Sequence, residues 1–190
     1  MVNTPAHLIF GAAVFGKPGR KAITAAAILG SLAPDVSLYL MVTWSIYFAG
    51  IEPGIVFHQY YYSTEWQQVF AVDNSFVLWG LGFGLAFWSK RSALMVFAGA
   101  GLLHLALDFP VHNNDARMHF WPLSDWKFIS PISYWDRRFH AGIVSRIEIG
   151  LAMTFVVLLI YRFRRWSSRL WICLLGAAEL MASGAFRWIF

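Results

Sequence analysis

Residues 92–119 read SALMVFAGAGLLHLALDFPVHNNDARMH, and this stretch decides the class of fold. Residues 92–109 are apolar or small apart from His104 and Asp108. Such a run approaches the about 20 residues that a helix needs to cross a bilayer, and it lacks the polar–apolar alternation of a barrel strand. His104 and Asp108 stand four apart, on one face of that helix. Pro110 then breaks the helix, and His112, Asp115 and His119 follow. The pattern H-x3-D-x3-H-x2-D-x3-H is dense in imidazole nitrogen and carboxylate oxygen, donors that suit Zn, Mn or Fe.

Composition extends this reading to the whole chain. Of 190 residues, 58% are hydrophobic and 13% charged, where a soluble domain has about 45–50% and about 25%. Mean hydropathy is +0.55. Disorder and a soluble core are excluded, and one cysteine, Cys173, excludes a disulfide scaffold. Cys173 lies in an apolar run and reads as a small buried hydrophobe. The class that remains is an all-α polytopic membrane bundle, one integral-membrane domain over residues 1–190. Apolar runs at 22–49, 74–88, 92–109, 142–163 and 170–190 predict five transmembrane helices. Residues 4–16 predict a sixth element that is tilted, half-spanning or re-entrant. The run at 74–88 is short and can begin earlier, near Phe70. No basic region precedes the first run, so no signal peptide is expected. Thr4 reads as the N-cap of the first helix and Pro5 as its first residue.

The basic residues orient the bundle. Lys17, Arg20 and Lys21 follow the first run. Lys90 and Arg91 separate the third from the fourth, and Arg162, Arg164, Arg165 and Arg169 separate the fifth from the sixth. With six spans these turns share one side, which the positive-inside rule places in the cytoplasm. The expected host is a bacterial inner membrane, with the lipid bilayer as the main partner. The net charge of +5 then reflects topology. It is not a nucleic-acid footprint, because no basic stripe lies outside these turns. A long loop between the fourth and fifth spans, about 110–141, faces outward with the His/Asp run and is rich in aromatic residues.

Charged groups inside apolar runs are costly and are functional candidates by default. They are Asp35, His104, Asp108, Arg146, Glu148 and Glu179. For His104 and Asp108 a metal or catalytic role leads over a structural hydrogen bond. Taken singly, His112, Asp115 and His119 read as solvated loop residues. Asp35 follows the helix-breaking Pro34, so it either caps a second half-helix or faces a polar cavity. Asp73, Asn74 and Ser75 read as caps of the third helix, and His7 as a packing residue one turn into the first. Arg146 can pair with an acid of the site or hold an anionic group. Glu179, eight residues before Arg187, reads as structural. Gly80 with Gly84, and Ala12 with Gly16, are small-residue pairs that let helices approach closely. In the charge-derived topology, His7, Asp73, Asn74, His104, Asp108, His112, Asp115 and His119 all fall toward the outer side.

The ordered set Thr4-Pro5-Ala6-His7, Gly30-Ser31-Leu32-Ala33-Pro34-Asp35, Asn74-Ser75 and His104-Leu105-Ala106-Leu107-Asp108 resembles the YdjM-type membrane-bound proteins, a family of predicted metal-dependent hydrolases. The likeness covers about the first 120 residues. It implies a helical bundle with a His/Asp metal site near the membrane surface and a phosphoester substrate. The chain departs from the family pattern at Ser37 and Asn74, where an Asp and a His are common, and at Val69, where a His is common. His58, His112, Asp115 and His119 are the available substitutes. On this likeness His7, His104, Asp108, His112 and His119 hold a divalent metal that activates water. Asp35 or Asp115 is the general base, Arg146 holds the anion, and Asn74 and Ser75 contact substrate. The competing reading is a non-enzymatic accessory or assembly subunit, packed against other membrane subunits or pigments. A transporter is weaker, because no inverted repeat is evident.

Overall fold

The computed structural model describes residues 3–184. Every regular element among them is helical. The helices are α1 (Thr4–Phe15), α2 (Lys21–Leu32), α3 (Val36–Thr43), α4 (Pro53–His58), α5 (Thr64–Asp73), α6 (Phe76–Trp88), α7 (Ser92–Asp108), α8 (Ala141–Arg162) and α9 (Trp166–Ala182).

Four stretches are long and apolar enough to cross a membrane: Lys21–Phe48, Thr64–Trp88, Ser92–Val111 and Ala141–Arg162. Two of them are broken, one at Pro34 and one at Asn74–Ser75, where the sequence reading places a helix start. Pro34 cannot donate to the helix ladder, and Ala33–Asp35 forms a 3-10 turn between α2 and α3. Asn74 and Ser75 interrupt the α5–α6 rod, and Ser75 Oγ caps α6 by accepting from Leu78 N at 3.1 Å. This rod begins at Thr64, well before residue 74, because Ser63 caps α5 through Trp66 N. α9 has 17 residues, and the last six positions of the apolar run 170–190, with Arg187, lie outside the described residues. Aromatic residues are exposed at the rod ends: Trp44, Tyr47 and Phe48 at one end, and Phe87, Trp88 and Trp166 at the other. Such rings sit well at the headgroup level. Cys173 is exposed on α9, contrary to the buried position expected from its apolar neighbours.

α1 is only 12 residues, about 18 Å of helix, yet it is the hub of the bundle. It packs against α2, α7, α8 and α9. Ala6, Ile9, Phe10, Ala12 and Ala13 form a core with Val111, Ala152, Val156, Leu159 and Ile172. In lipid, apolar side chains gain little by leaving their surroundings, so close packing of small residues does the work that hydrophobicity does in water.

Both ends of α1 meet side chains that complement its dipole. At the start, Asn3 N donates to Glu148 Oε1 at 2.6 Å, and Asn3 Nδ2 donates to Glu179 Oε1 at 3.3 Å. At the end, Arg162 Nη1 donates to the carbonyls of Ala13 at 2.6 Å and Gly16 at 3.5 Å. Acids at a helix start and a base at its end satisfy groups that lipid cannot. The cap is therefore Asn3, one residue before the expected Thr4, whose hydroxyl donates instead to Asp35 Oδ2 at 3.2 Å.

The glycines that matter for packing are not the expected ones. Cβ atoms added at Gly80 or Gly84 would meet nothing within 4 Å, so this pair faces outward. At Gly16 the nearest obstacle is Ala12 O, within its own turn. The close approaches are at Gly11, whose Cβ would fall 1.8 Å from Ser31 Oγ, and at Gly30, 2.1 Å from Phe97 O. Gly30 is where α2 crosses α7. Gly30→Ala is expected to force that crossing apart and to cost about 1–3 kcal/mol, read as a lowered Tm in detergent. Gly80→Ala is expected to leave Tm unchanged. Equal Tm values for the two variants would contradict the crossing.

Candidate metal site

The end of α7 and the break between α2 and α3 lie against each other, and α1 packs against α2 and α7. Asp108, at the last turn of α7, is 1% exposed. Its Oδ1 lies 2.9 Å from His7 Nε2 of α1. Its Oδ2 lies 3.3 Å from His104 Nε2, one turn back, and 3.4 Å from His112 Nε2, beyond the helix end. Asp35 Oδ1 stands 3.7 Å from His104 Nε2 on the other side. The His7 and His104 rings stack with centroids 3.6 Å apart. His7, His104 and Asp108 each offer one ligand atom, all within 4.8 Å of one another, so the trio could hold a metal ion.

The far sides of these rings explain their aim. His104 Nδ1 donates to Ser31 O at 2.7 Å, and His119 Nδ1 donates to Asn74 O at 2.8 Å. His112 Nδ1 lies 3.3 Å from the Asp115 carbonyl and 3.1 Å from Asp115 Oδ2. With Nδ1 carrying the proton, each Nε2 presents a lone pair, and a backbone or carboxylate partner fixes the tautomer. Nε2 of His104, His112 and His119 and Nδ1 of His7 are buried without a hydrogen-bond partner. Buried nitrogen lone pairs facing carboxylate oxygens repel unless a cation or a proton lies between them. A divalent cation therefore fits this donor set.

Two expectations are corrected by the way the chain folds after α7. His112, Asp115 and His119 are not solvated loop residues: they are 1%, 4% and 3% exposed. The segment after Pro110 lies back across the bundle mouth. Ser130 N donates to His112 O at 2.9 Å, Tyr134 N to Val111 O at 3.1 Å and Phe76 N to His119 O at 2.8 Å. Those backbone bonds cover the three side chains. His7 likewise is a member of the cluster and not a lone packing residue. For Asp35 the structure separates the two alternatives: its side chain makes no cap bond to α3 and faces His104.

Other candidates are placed elsewhere. Ser75 Oγ caps α6 and donates to Trp121 O. Asn74 Nδ2 bonds the carbonyls of Phe70 and Pro34 at 3.0 and 3.4 Å, so these two residues brace the site. Arg146 is exposed on α8, and His58, exposed at the end of α4, lines the cavity that borders Thr4 and Asp115 and is not in the cluster itself. The cation that approaches the cluster is Arg117, 3% exposed. It stacks on Tyr61 and Phe70 with its guanidinium carbon 4.8 and 4.1 Å from the ring centroids. Nη2 donates to Tyr61 OH at 2.7 Å, and Nη1 is buried without a partner. The sequence signal for Arg117 was its place inside the His112–His119 run, two residues from both Asp115 and His119. A cavity of about 400 Å³, walled by Leu38, Phe57, Tyr62 and Trp135, reaches the cluster at Thr4 and Asp115.

Two residues of the cluster that lie outside the spans have shifted protonation. Burial, reinforced by the charge of His112, holds the His119 imidazole down at about 4 despite its bond to Asn74. Burial raises the Asp115 carboxyl, but the His112 hydrogen bond and charge, with Arg117, outweigh it and hold it down at about 2. A His whose folded value lies below its unfolded one binds fewer protons folded, so its stabilisation is lost as pH falls from about 6.5 toward 4. Asp115 adds its loss only below its unfolded value of about 4. Metal-free protein is thus expected to lose roughly 3 kcal/mol between pH 7 and pH 4 through His119. Unfolding followed at both pH values should show this loss flattened in His119→Gln. An unchanged pH slope in that variant would refute the assignment.

No family model matches the chain, and neither a curated protein nor a solved structure shows significant similarity to it.

Proposed function

We propose that the protein is a metal-dependent hydrolase embedded in a bacterial inner membrane, acting on a phosphoester of an amphipathic substrate near the periplasmic face. The observation that carries this reading is the cluster of buried imidazoles around Asp108, in which His7 is bonded to the carboxylate through Nε2 and His104, His112 and His119 are each aimed by a contact of Nδ1. The short basic turns support the orientation. α2 and α7 run in the same direction, since Gly30 meets Phe97 and Ser31 meets His104, so both begin at the basic end. Asp108 lies sixteen residues beyond Ser92, about 24 Å along α7 in a hydrocarbon core of about 30 Å. The site then sits just beneath the outer boundary. In this topology the four long rods are crossings, α9 belongs to a fifth, and α1 is a half-span buried among them. The YdjM-type likeness is part of the same proposal.

When bound, a divalent cation supplies Lewis-acid activation of water and of a phosphoryl oxygen. His7, His104 and Asp108 hold it, with His112 and His119 completing the donor set. Asp35 accepts a proton from the attacking water, its Oδ2 steadied by Thr4. Arg117, in place of the exposed Arg146, binds the anionic oxygens through Nη1 while the Tyr61–Phe70 stack holds the guanidinium in place. The aromatic cavity accepts the apolar part of the substrate.

Metal content of detergent-purified protein tests the reading. Wild type is expected to carry about one or two Zn, Mn or Fe per chain, and His104→Ala and Asp108→Ala to lose it. With an activated phosphodiester, both variants should be inactive. Arg117→Gln should keep its metal and lose roughly 100-fold in kcat/KM. Metal-free wild type with a stoichiometric copurifying membrane protein would replace this proposal with the accessory-subunit reading.

A further inference from the structure

The opposite end of the bundle holds a second polar feature that the hydrolase reading does not use. The turn 16–20 and the turn 163–165 border a cavity of about 950 Å³. Five cations line it, Lys17, Lys21, Arg162, Arg164 and Arg165, and no acid does. Arg162 is already employed on the α1 carbonyls. Lys17, Lys21, Arg164 and Arg165 are exposed and make no ion pair among the described residues. We propose that this cavity binds the phosphate headgroup of an anionic phospholipid from the leaflet on the basic side, with an acyl chain lying along α2.

The shape of the cavity distinguishes this from a general excess of positive charge. Both turns are held in place. Lys17 N donates to Thr24 Oγ1 at 3.2 Å, and Thr24 Oγ1 donates back to Lys17 O at 3.1 Å. Gly19 turns the chain at φ +79, where a side chain would be strained. On the other side, Arg169 Nε donates to the carbonyls of Ile160 and Phe163, both at 3.2 Å, and fixes the turn carrying Arg164 and Arg165. The cations therefore converge from two rigid turns far apart in sequence.

The hydroxyls of Ser167 and Ser168, in the first turn of α9, line the same space. Neither α2 nor α9 has a side-chain cap, so backbone N–H groups at both starts add donors. Away from the charges the wall becomes apolar. Ala25, Ile28 and Leu29 share one face of α2, and Leu29 is 56% exposed. The span Lys21–Phe48 begins here and Ala141–Arg162 ends here, so the cavity lies at the level of lipid headgroups. A polar mouth over an apolar wall at that depth fits an amphiphile better than a soluble anion, and basic pockets between spans are where anionic headgroups bind.

The test is a titration of the full chain in detergent with phosphatidylglycerol, followed by native mass spectrometry, with phosphatidylcholine and inorganic phosphate as competing probes. Lys17→Gln with Lys21→Gln is expected to bind phosphatidylglycerol roughly 25-fold more weakly, and so is Arg164→Gln with Arg165→Gln, at about fivefold per cation. Lys90→Gln with Arg91→Gln removes as much charge from the third turn on that side and should leave binding unchanged. An equal loss in this control would reduce the effect to bulk charge and overturn the proposal. Displacement by millimolar phosphate alone would overturn the lipid assignment in favour of a soluble anion. Wild type that does not prefer phosphatidylglycerol over phosphatidylcholine would overturn it without any variant. None of these outcomes depends on metal or on hydrolysis.

Discussion

A carboxylate buried in a membrane bundle has to be surrounded by groups of the protein itself, and Asp108 sets this condition for the fold. Three imidazoles from three segments approach it: His7 from α1, His104 from its own helix and His112 from the chain beyond Pro110. Each of them needs a partner for its other nitrogen or a reason to be buried. His104 therefore draws in the Ser31 carbonyl, and with it the break between α2 and α3. That break carries Asp35 to the opposite side of His104. Water would have screened and satisfied these groups. In hydrocarbon they are satisfied only by one another, by backbone or by an ion, and the cost of leaving one unpaired ties the segments together.

The same condition accounts for the position of α1. A 12-residue helix is too short to cross, and its exposed ends would be penalised in lipid. Glu148 and Glu179 meet its start, and Arg162 meets its end. Charges on α8 and α9 thus hold a central helix that carries a site residue, His7. The glycines follow this geometry. Gly11 and Gly30 lie where α1, α2 and α7 crowd together, whereas Gly80 and Gly84 face away from the bundle. A GxxxG spacing states that a close approach is possible. Only the packing shows whether another helix is there.

The two ends of the molecule differ in the kind of polarity they hold. At one end imidazoles and carboxylates are buried together around Asp108. At the other, cations line an open cavity without compensation. Buried mixed charge favours a compact ion or a reacting group, and open unscreened positive charge favours a phosphate surface. The apolar helices between the two ends keep these environments apart within a chain of 190 residues.

Much of this was legible before folding. Length and apolarity of the runs determined the helical membrane class, Pro34 and Pro110 determined where helices break, and the i, i+4 spacing of His104 and Asp108 determined a shared face. These properties depend on local backbone chemistry and on the thickness of a bilayer, which a linear sequence states directly. The burial of His112, Asp115 and His119, the burial of Arg117 beside them and the inward aim of Asp35 were not legible. The burial of the three loop residues depends on the segment after Pro110 lying across the bundle mouth, through bonds such as Tyr134 N to Val111 O and Phe76 N to His119 O, and the aim of Asp35 depends on the α2–α3 break meeting His104. Polar residues in a loop carry no periodicity that reveals which way they point. Tertiary structure alone decided that, because only contacts between distant segments determine which polar groups lose their water.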